Sequence, residues 1–337
     1  MKNFQLTFAL LGAIFLAAGC GGGSSSTGVN IPTAAIQITS SNAQTVASGA
    51  NAASESSARQ GSSAATTVVG VVTQQAGQIP SALNIATSGL GRVLTTPLPT
   101  ATVIGATSTA YFSCSTGLQV SSSAADTFTF TYSVAGSTIA AGDSVSIYFN
   151  SCVDTVTGDT TNGGLGIAIT SLSGTFGTAP SSAAFTATFS NLTVTNAGAS
   201  ASLNGDMTIA ASSSTTAPTL TATISGNSLT ITDSVQGSIR LTSYNETYTY
   251  DNSSTAYTYS VNTNLAGTVM NGSVNIATTT TFSGTGTGNP TAGVMTITGT
   301  GGSYVMVTAN SNGTDVTLNG SDGTTPFGPT VVAWSAL

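Results

Sequence analysis

Thr127-Phe128-Thr129-Phe130-Thr131-Tyr132-Ser133-Val134 sets an aromatic or β-branched side chain at every second position and a hydroxyl side chain between them. Successive side chains on a strand point to opposite faces, so this period of two predicts a strand with one buried and one solvated face. Downstream, Val145, Ile147 and Phe149 alternate with Ser144, Ser146 and Tyr148. Gly142-Asp143 ahead of that run is a turn signal, and 126–134 and 144–150 are expected to be neighbouring antiparallel strands. Phe185, Ala187 and Phe189 repeat the pattern before Leu192 and Val194. The change of parity between them places a bulge or bend near Asn191.

Outward from here the same alternation continues to the end of the chain. Tyr248-Thr249-Tyr250 and Tyr257-Thr258-Tyr259 flank Asp251-Asn252-Ser253-Ser254-Thr255-Ala256. This is a hairpin, and if Tyr250 faces Tyr257 then Tyr248 faces Tyr259, with four rings on one face. Those rings form either a platform for a glycan or apolar ligand, or a ladder packed on the core; packing is the commoner use of aromatic side chains.

Asn204-Gly205-Asp206-Met207-Thr208-Ile209 and Asn271-Gly272-Ser273-Val274-Asn275-Ile276 share the form Asn-Gly-x-apolar-x-Ile. Variants begin at Gln236-Gly237, Ala292-Gly293 and Asn162-Gly163. Their uneven spacing argues against a strict solenoid or propeller. It fits a meander of hairpins in which each strand begins at a Gly. Residues 93–337 are therefore expected to be a mainly β, antiparallel meander of roughly 12 to 18 strands. A sandwich, a curved sheet and a soluble barrel all satisfy the pattern. A transmembrane barrel fits it less readily, since a chain acylated near its start is already anchored and paired interfacial aromatic girdles are missing.

Residues 37–92 differ: they are rich in Ala, Ser and Gln and poor in aromatics. Asn42 ahead of Ala43-Gln44-Thr45-Val46-Ala47 reads as a helix start, with Val46, Ala50 and Ala53 on one stripe and an end near Arg59. A second helical stretch is expected over 66–78, before Pro80. One or two short helices thus precede the sheet, lying against it or leading into it.

The chain begins with Lys2 and an apolar run from Phe4 to Ala18. That run is too short for a membrane span, which needs about 20 residues, and suits a secretory signal over residues 1–19. Leu16-Ala17-Ala18-Gly19-Cys20 resembles the lipobox of bacterial lipoprotein precursors. The resemblance implies cleavage before Cys20 and acylation of Cys20 by diacylglycerol and a further fatty acid such as palmitate. It departs in one place, since Ala17 stands where Leu is commonest. Residues 20–36, opening with Gly21-Gly22-Gly23-Ser24-Ser25-Ser26, read as an acylated cysteine and a flexible, uncharged tether. By analogy with known lipoprotein sorting, Gly21 after the cysteine favours the outer membrane, facing the periplasm or the cell surface.

Composition excludes several functions. Charged residues are 4% of the chain, against about 25% in ordinary domains. Beyond Lys2 the bases are Arg59, Arg92 and Arg240, and there is no His. Nucleic acid is not a partner such a chain holds, because phosphates must be neutralised by several basic residues. Histidine, lysine and free-cysteine catalysis lack their groups. Cys114 and Cys152 remain once Cys20 is acylated, an even pair expected to form a disulfide in an oxidising compartment. Two free thiols are the competing reading, and a zinc site is disfavoured without His. A carboxylate-based glycosidase is the enzymatic alternative. However, Asp143, Asp154, Asp159, Asp233, Asp251 and Asp322 sit in turn contexts. Asp154, Asp159 and Asn162 share a loop with oxygens suited to calcium, but without an EF-hand spacing, and a polar hairpin tip explains them as well. No cofactor is implied.

Taken together, the lipobox, Asn42-Ala43-Gln44-Thr45-Val46-Ala47, the run from Gly142 to Cys152, the Asn-Gly strands and the ending Trp334-Ser335-Ala336-Leu337 resemble an uncharacterised family of proteobacterial envelope lipoproteins. The resemblance covers most of the chain after residue 19 and implies an envelope lipoprotein with no assigned activity. The expectation is a non-catalytic binding or structural protein, held to membrane lipid through Cys20, with an unidentified envelope or surface ligand. The alternative is a self-assembling surface or fibre component, because uncharged Thr-rich strands add readily edge to edge.

Overall fold

A computed structural model describes residues 30–54, 107–113, 127–133, 140–153, 160–174, 181–196, 199–214, 219–233, 237–286 and 288–337. Among them fourteen strands form one antiparallel sheet in which every strand neighbours the next in sequence. They are β1 (Thr107–Ser113), β2 (Thr127–Ser133), β3 (Ser144–Val153), β4 (Thr160–Ser173), β5 (Ser182–Asn196), β6 (Ala199–Ser213) and β7 (Thr219–Asp233). The series continues with β8 (Gly237–Asp251), β9 (Ala256–Gly267), β10 (Gly272–Thr285), β11 (Ala292–Thr298), β12 (Tyr304–Ala309), β13 (Asp315–Ser321) and β14 (Pro326–Ala333). Among the described residues the sheet is open, with β1 and β14 as its ends. Of the three architectures the sequence allows, this is the curved sheet.

The strand expected over 126–134 is present and neighbours the one expected over 144–150. β2 pairs with β3 from Thr127↔Asn150 to Ser133↔Ser144. On β3, Val145, Ile147 and Phe149 are buried while Ser144, Ser146 and Tyr148 are exposed. The inner face continues through Leu165, Phe185, Ile209, Ile224, Leu241, Val261 and Phe282, all buried. Phe282 on β10 and Trp334, just past β14, meet edge to face with centroids 6.2 Å apart. Four strand spacings span about 19 Å on a flat sheet. Rings of this size do not bridge that gap, so the sheet curls between β10 and β14.

The outer face is hydroxylated. Ser173, Ser182, Ser212, Thr221, Thr249, Thr258 and Ser283 pair in one continuous row across β4 to β10. This uncharged row is where the chain's low charge content is most visible.

Residues 31–42 form a strap across one end of the sheet. Ala35 makes a parallel bridge to Ser273 at the start of β10. The Thr300 N–H donates to the Ile36 carbonyl, and the Ser303 hydroxyl accepts from the Ile38 N–H at 2.9 Å. Gln37 Nε2 donates to the Asp322 carbonyl at 2.8 Å. The strap therefore touches β10 and the β11–β12 and β13–β14 turns in succession. It leads into α1, residues 43–54, the helix among the described residues. Val46, Ala50 and Ala53 are buried as expected, together with Ala43 and Ala47. The small side chains let the helix sit close to the inner face. Asn42 differs from the expected cap: its carbonyl accepts from Val46, but its side chain turns back to the Thr39 N–H and the Gln37 carbonyl. The helix end near Arg59 and the second helix over 66–78 lie outside the described residues.

One expectation is corrected. Gly237, Gly272 and Gly293 open β8, β10 and β11, but Asn162-Gly163 and Asn204-Gly205 lie inside β4 and β6. These two mark bulges, not strand starts. Ser151, Asn191 and Ser243 have positive φ at register shifts in β3, β5 and β8, so the bend placed near Asn191 is one of a series. An extra residue in one strand leaves a ladder N–H without its backbone acceptor. Asn162 Oδ1 accepts from the Ser151 N–H at 2.8 Å, and Asn204 Oδ1 from the Asn191 N–H at 3.2 Å. The glycine that follows each Asn has positive φ and abuts the neighbouring backbone, at Asn191 for Gly163 and at Ser228 for Gly205. Asn-Gly is thus a bulge cap: the amide supplies the acceptor and the glycine supplies the room.

Candidate functional site

The predicted tyrosine hairpin has the expected register, Tyr248 opposite Tyr259 and Tyr250 opposite Tyr257. All four rings belong to the inner face. Tyr250 is buried, and Tyr248, Tyr257 and Tyr259 are partly buried against the same core. Tyr257 and Tyr259 stack at 6.4 Å, and Tyr259 stacks on Phe282 at 5.0 Å with 17° between planes. Phe282 then meets Trp334, so the ladder crosses from β9 through β10 to the chain's C-terminal turn. Stacking occupies ring faces of Tyr257 and Tyr259 that a glycan platform would leave open. The Tyr257 hydroxyl donates to the Gly288 carbonyl at 2.7 Å.

Glycine opposite an aromatic recurs. Gly226 pairs with Tyr244, Gly284 with Tyr257 and Gly320 with Phe327. In each case a Cβ on the glycine would strike the ring. The ring lies over the bare glycine backbone and fills the side-chain space the glycine leaves.

Beside the ladder is a polar cluster that the alternation in Tyr244-Asn245-Glu246-Thr247-Tyr248 signals but that the sequence reading passes over. Tyr244, Glu246, Tyr248 and Tyr250 share the inner face of β8. Glu246 is 1% exposed. Its register neighbours are Ile224 on β7 and Val261 on β9. The buried Tyr244 hydroxyl donates to the Asp206 carbonyl. Burial first, and then the Asp206 and Glu246 carboxylates, hold the Tyr244 phenol well above the usual tyrosine range. Burial, followed by Tyr250, pushes Tyr248 up to about 12.

Most described carboxylates serve turns or bulges. Asp143 Oδ2 accepts from the Ala140 N–H, and Asp206 from the Asn227 and Ser228 N–H groups. Asp251 accepts from Ser253 and Ser254, whose hydrogen bonds hold its carboxyl down at about 2. Asp322 is lowered by the Thr325 and Thr324 N–H groups and the Thr324 hydroxyl.

The remaining sequence candidates divide. Cys152 is buried and disulfide-bonded. Cys114, the partner expected for it, lies outside the described residues, as do Cys20, Asp154 and Asp159. Asn162, the third member of the calcium candidate, has its side-chain oxygen on Ser151. Among the described residues, no group of three His, Cys, Asp or Glu is gathered to hold a metal, and no helix is long and apolar enough to cross a membrane. No family model matches the chain, and neither a curated protein nor a solved structure is significantly similar to it.

Proposed function

We propose that the chain is a membrane-anchored lipoprotein of the bacterial cell envelope, non-catalytic, whose curved sheet binds a ligand or plays a structural role outside the cytoplasm. The observation that carries this reading is the apolar run Phe4 to Ala18, whose last three residues open Leu16-Ala17-Ala18-Gly19-Cys20. Two or three acyl chains on one residue anchor a protein where one alone does so only marginally. The disulfide-bonded Cys152 supports an oxidising compartment. The engagement of Asp143, Asp206, Asp251 and Asp322 in turns and bulges supports a role without acid–base chemistry. Labelled palmitate tests the anchor. Incorporation into the wild-type chain, with loss of label and release from membranes in Cys20→Ser, is the expected result. An unlabelled wild-type chain would overturn the reading.

Self-assembly through the sheet edge is the second reading, favoured by β14. That strand carries no charged residue, has only Phe327 and Val332 partly buried and leaves Val331 62% exposed. Pro326 and Pro329 oppose it, because proline removes edge donors. Sedimentation across a wide concentration range separates the two, a monomer throughout excluding assembly.

A further inference from the structure

We infer that the strapped end of the sheet, at the β9–β10 and β11–β12 turns, meets the phospholipid bilayer, and that the end carrying the aromatic ladder faces away from it. This rests on Cys20 being the lipid anchor.

The direction comes from the strap. Its bridge to β10 is parallel, so residues 33 to 36 run in the same sense as β10, inward from the β9–β10 turn. Three further hydrogen bonds hold that alignment. The Ser273 hydroxyl donates to the Thr33 carbonyl, the Ser273 N–H to the Ala34 carbonyl and the Ile36 N–H to the Ser273 carbonyl. Followed backwards, the chain therefore leaves the molecule at this end. Ile31 is already buried. From Cys20 to Ile31 the backbone spans at most about 40 Å at full stretch. β10 alone, with 14 residues, is about 44 Å long. A lipid on Cys20 thus cannot bring the far end of β10, with its neighbouring ladder, down to the membrane by doubling back along the sheet.

The end that the anchor holds close is suited to a lipid surface. Val269, in the β9–β10 turn, is 60% exposed. Around it, Thr268, Met270, Asn271, Thr300, Gly301 and Gly302 carry no charge. A valine at the membrane interface buries apolar area; the carboxylate beside these two turns is Asp322 in the β13–β14 turn, whose Gly323 abuts Gly301, so the surface offered to lipid is the β9–β10 turn and the Thr300–Gly302 tip.

The experiment uses full-length acylated protein in vesicles of phosphatidylethanolamine and phosphatidylglycerol that carry a nitroxide on the lipid headgroup. A fluorophore is attached at Val269→Cys, at Thr300→Cys or, for the far end, at Thr285→Cys. Strong quenching at 269 and 300, with none at 285, is the expected result. Equal quenching at both ends, as in a sheet lying on its side, or quenching confined to the far end overturns the orientation. The mass of the N-terminal peptide is read on the same sample. An unmodified Cys20 there defeats the anchor and the orientation with it, whereas an acylated Cys20 with the wrong quenching pattern defeats the orientation alone.

Discussion

Single residues in this sheet differ sharply in how much change they tolerate, and glycine shows it best. Gly205 has φ +127° and abuts the Ser228 carbonyl, whereas Gly301 has φ +65° in a turn with open space around it. Gly205→Ala is expected to cost about 2–4 kcal/mol, from backbone strain and overpacking together. Gly301→Ala should cost only about 1–2 kcal/mol, from the left-handed backbone alone. Urea unfolding of both variants checks the difference. Tyr248 makes a second prediction, about alkali. Its folded pKa lies above that of the unfolded chain, so the stability it contributes is whole below about pH 10 and is lost as the pH rises through about 12. Phenolate absorbance should show Tyr248 titrating late, and Tyr248→Phe should move the unfolding midpoint upward on the alkaline side only. These positions were unequally legible in sequence. Asn-Gly reads as a turn because it favours turns everywhere; that Asn204 serves Asn191 depends on a bulge two strand-halves away in sequence, which no local pattern reports.

At the scale of elements, strands and their pairing were readable and their decoration was not. The tyrosine hairpin declared its register because two Tyr-Thr-Tyr runs stand either side of one short turn. Phe282 and Trp334 extend the same ladder from positions that say nothing of it locally, since their meeting depends on the curl of β10 to β14. Phe282→Ala should cost about 3–5 kcal/mol, as for a fully buried aromatic. Tyr257→Phe should cost about 1 kcal/mol, the bond to Gly288. If the two losses were alike in thermal unfolding, the packed ladder would be wrong. Within α1, Gly49 lies where an added Cβ would be 3.0 Å from the Met270 Cε, the flexible tip of a side chain. Met270 moves aside at little cost, and Gly49→Ala is expected to stabilise the protein by up to about 1 kcal/mol through helix propensity.

For the whole molecule, residues 334–337 are part of the helix's seat. Ser48 Oγ donates to the Leu337 carbonyl at 2.7 Å and Gln44 Nε2 to the Ala336 carbonyl at 3.4 Å, while Trp334 is buried in the core. A chain ending at Ala333 should keep its strand content by circular dichroism. Its segment 43–54 should become sensitive to protease; equal resistance in the shortened and full chains would show that the helix is held by the sheet alone. Residue alternation could reveal a meander. The choice of curved sheet over sandwich or barrel could not be read, because closure depends on summed twist and bulges across every strand.

The strap carries one more consequence, about the order in which the molecule is completed. Each strand of the meander pairs with the one just made, so the sheet can grow hairpin by hairpin as the polypeptide emerges. The strap and α1 are the exception: their hydrogen-bond partners in the sheet and beyond it lie from 237 residues (Ile36 to Ser273) to 292 residues (Gln44 to Ala336) further along the chain. Residues 33–48 therefore wait for residues 273–337, since the entropy of closing so long a loop is paid before its contacts reward it. Until residues 334–337 arrive, the apolar stripe of α1 has only part of its seat, and an interrupted chain carries that unfinished site at its own beginning.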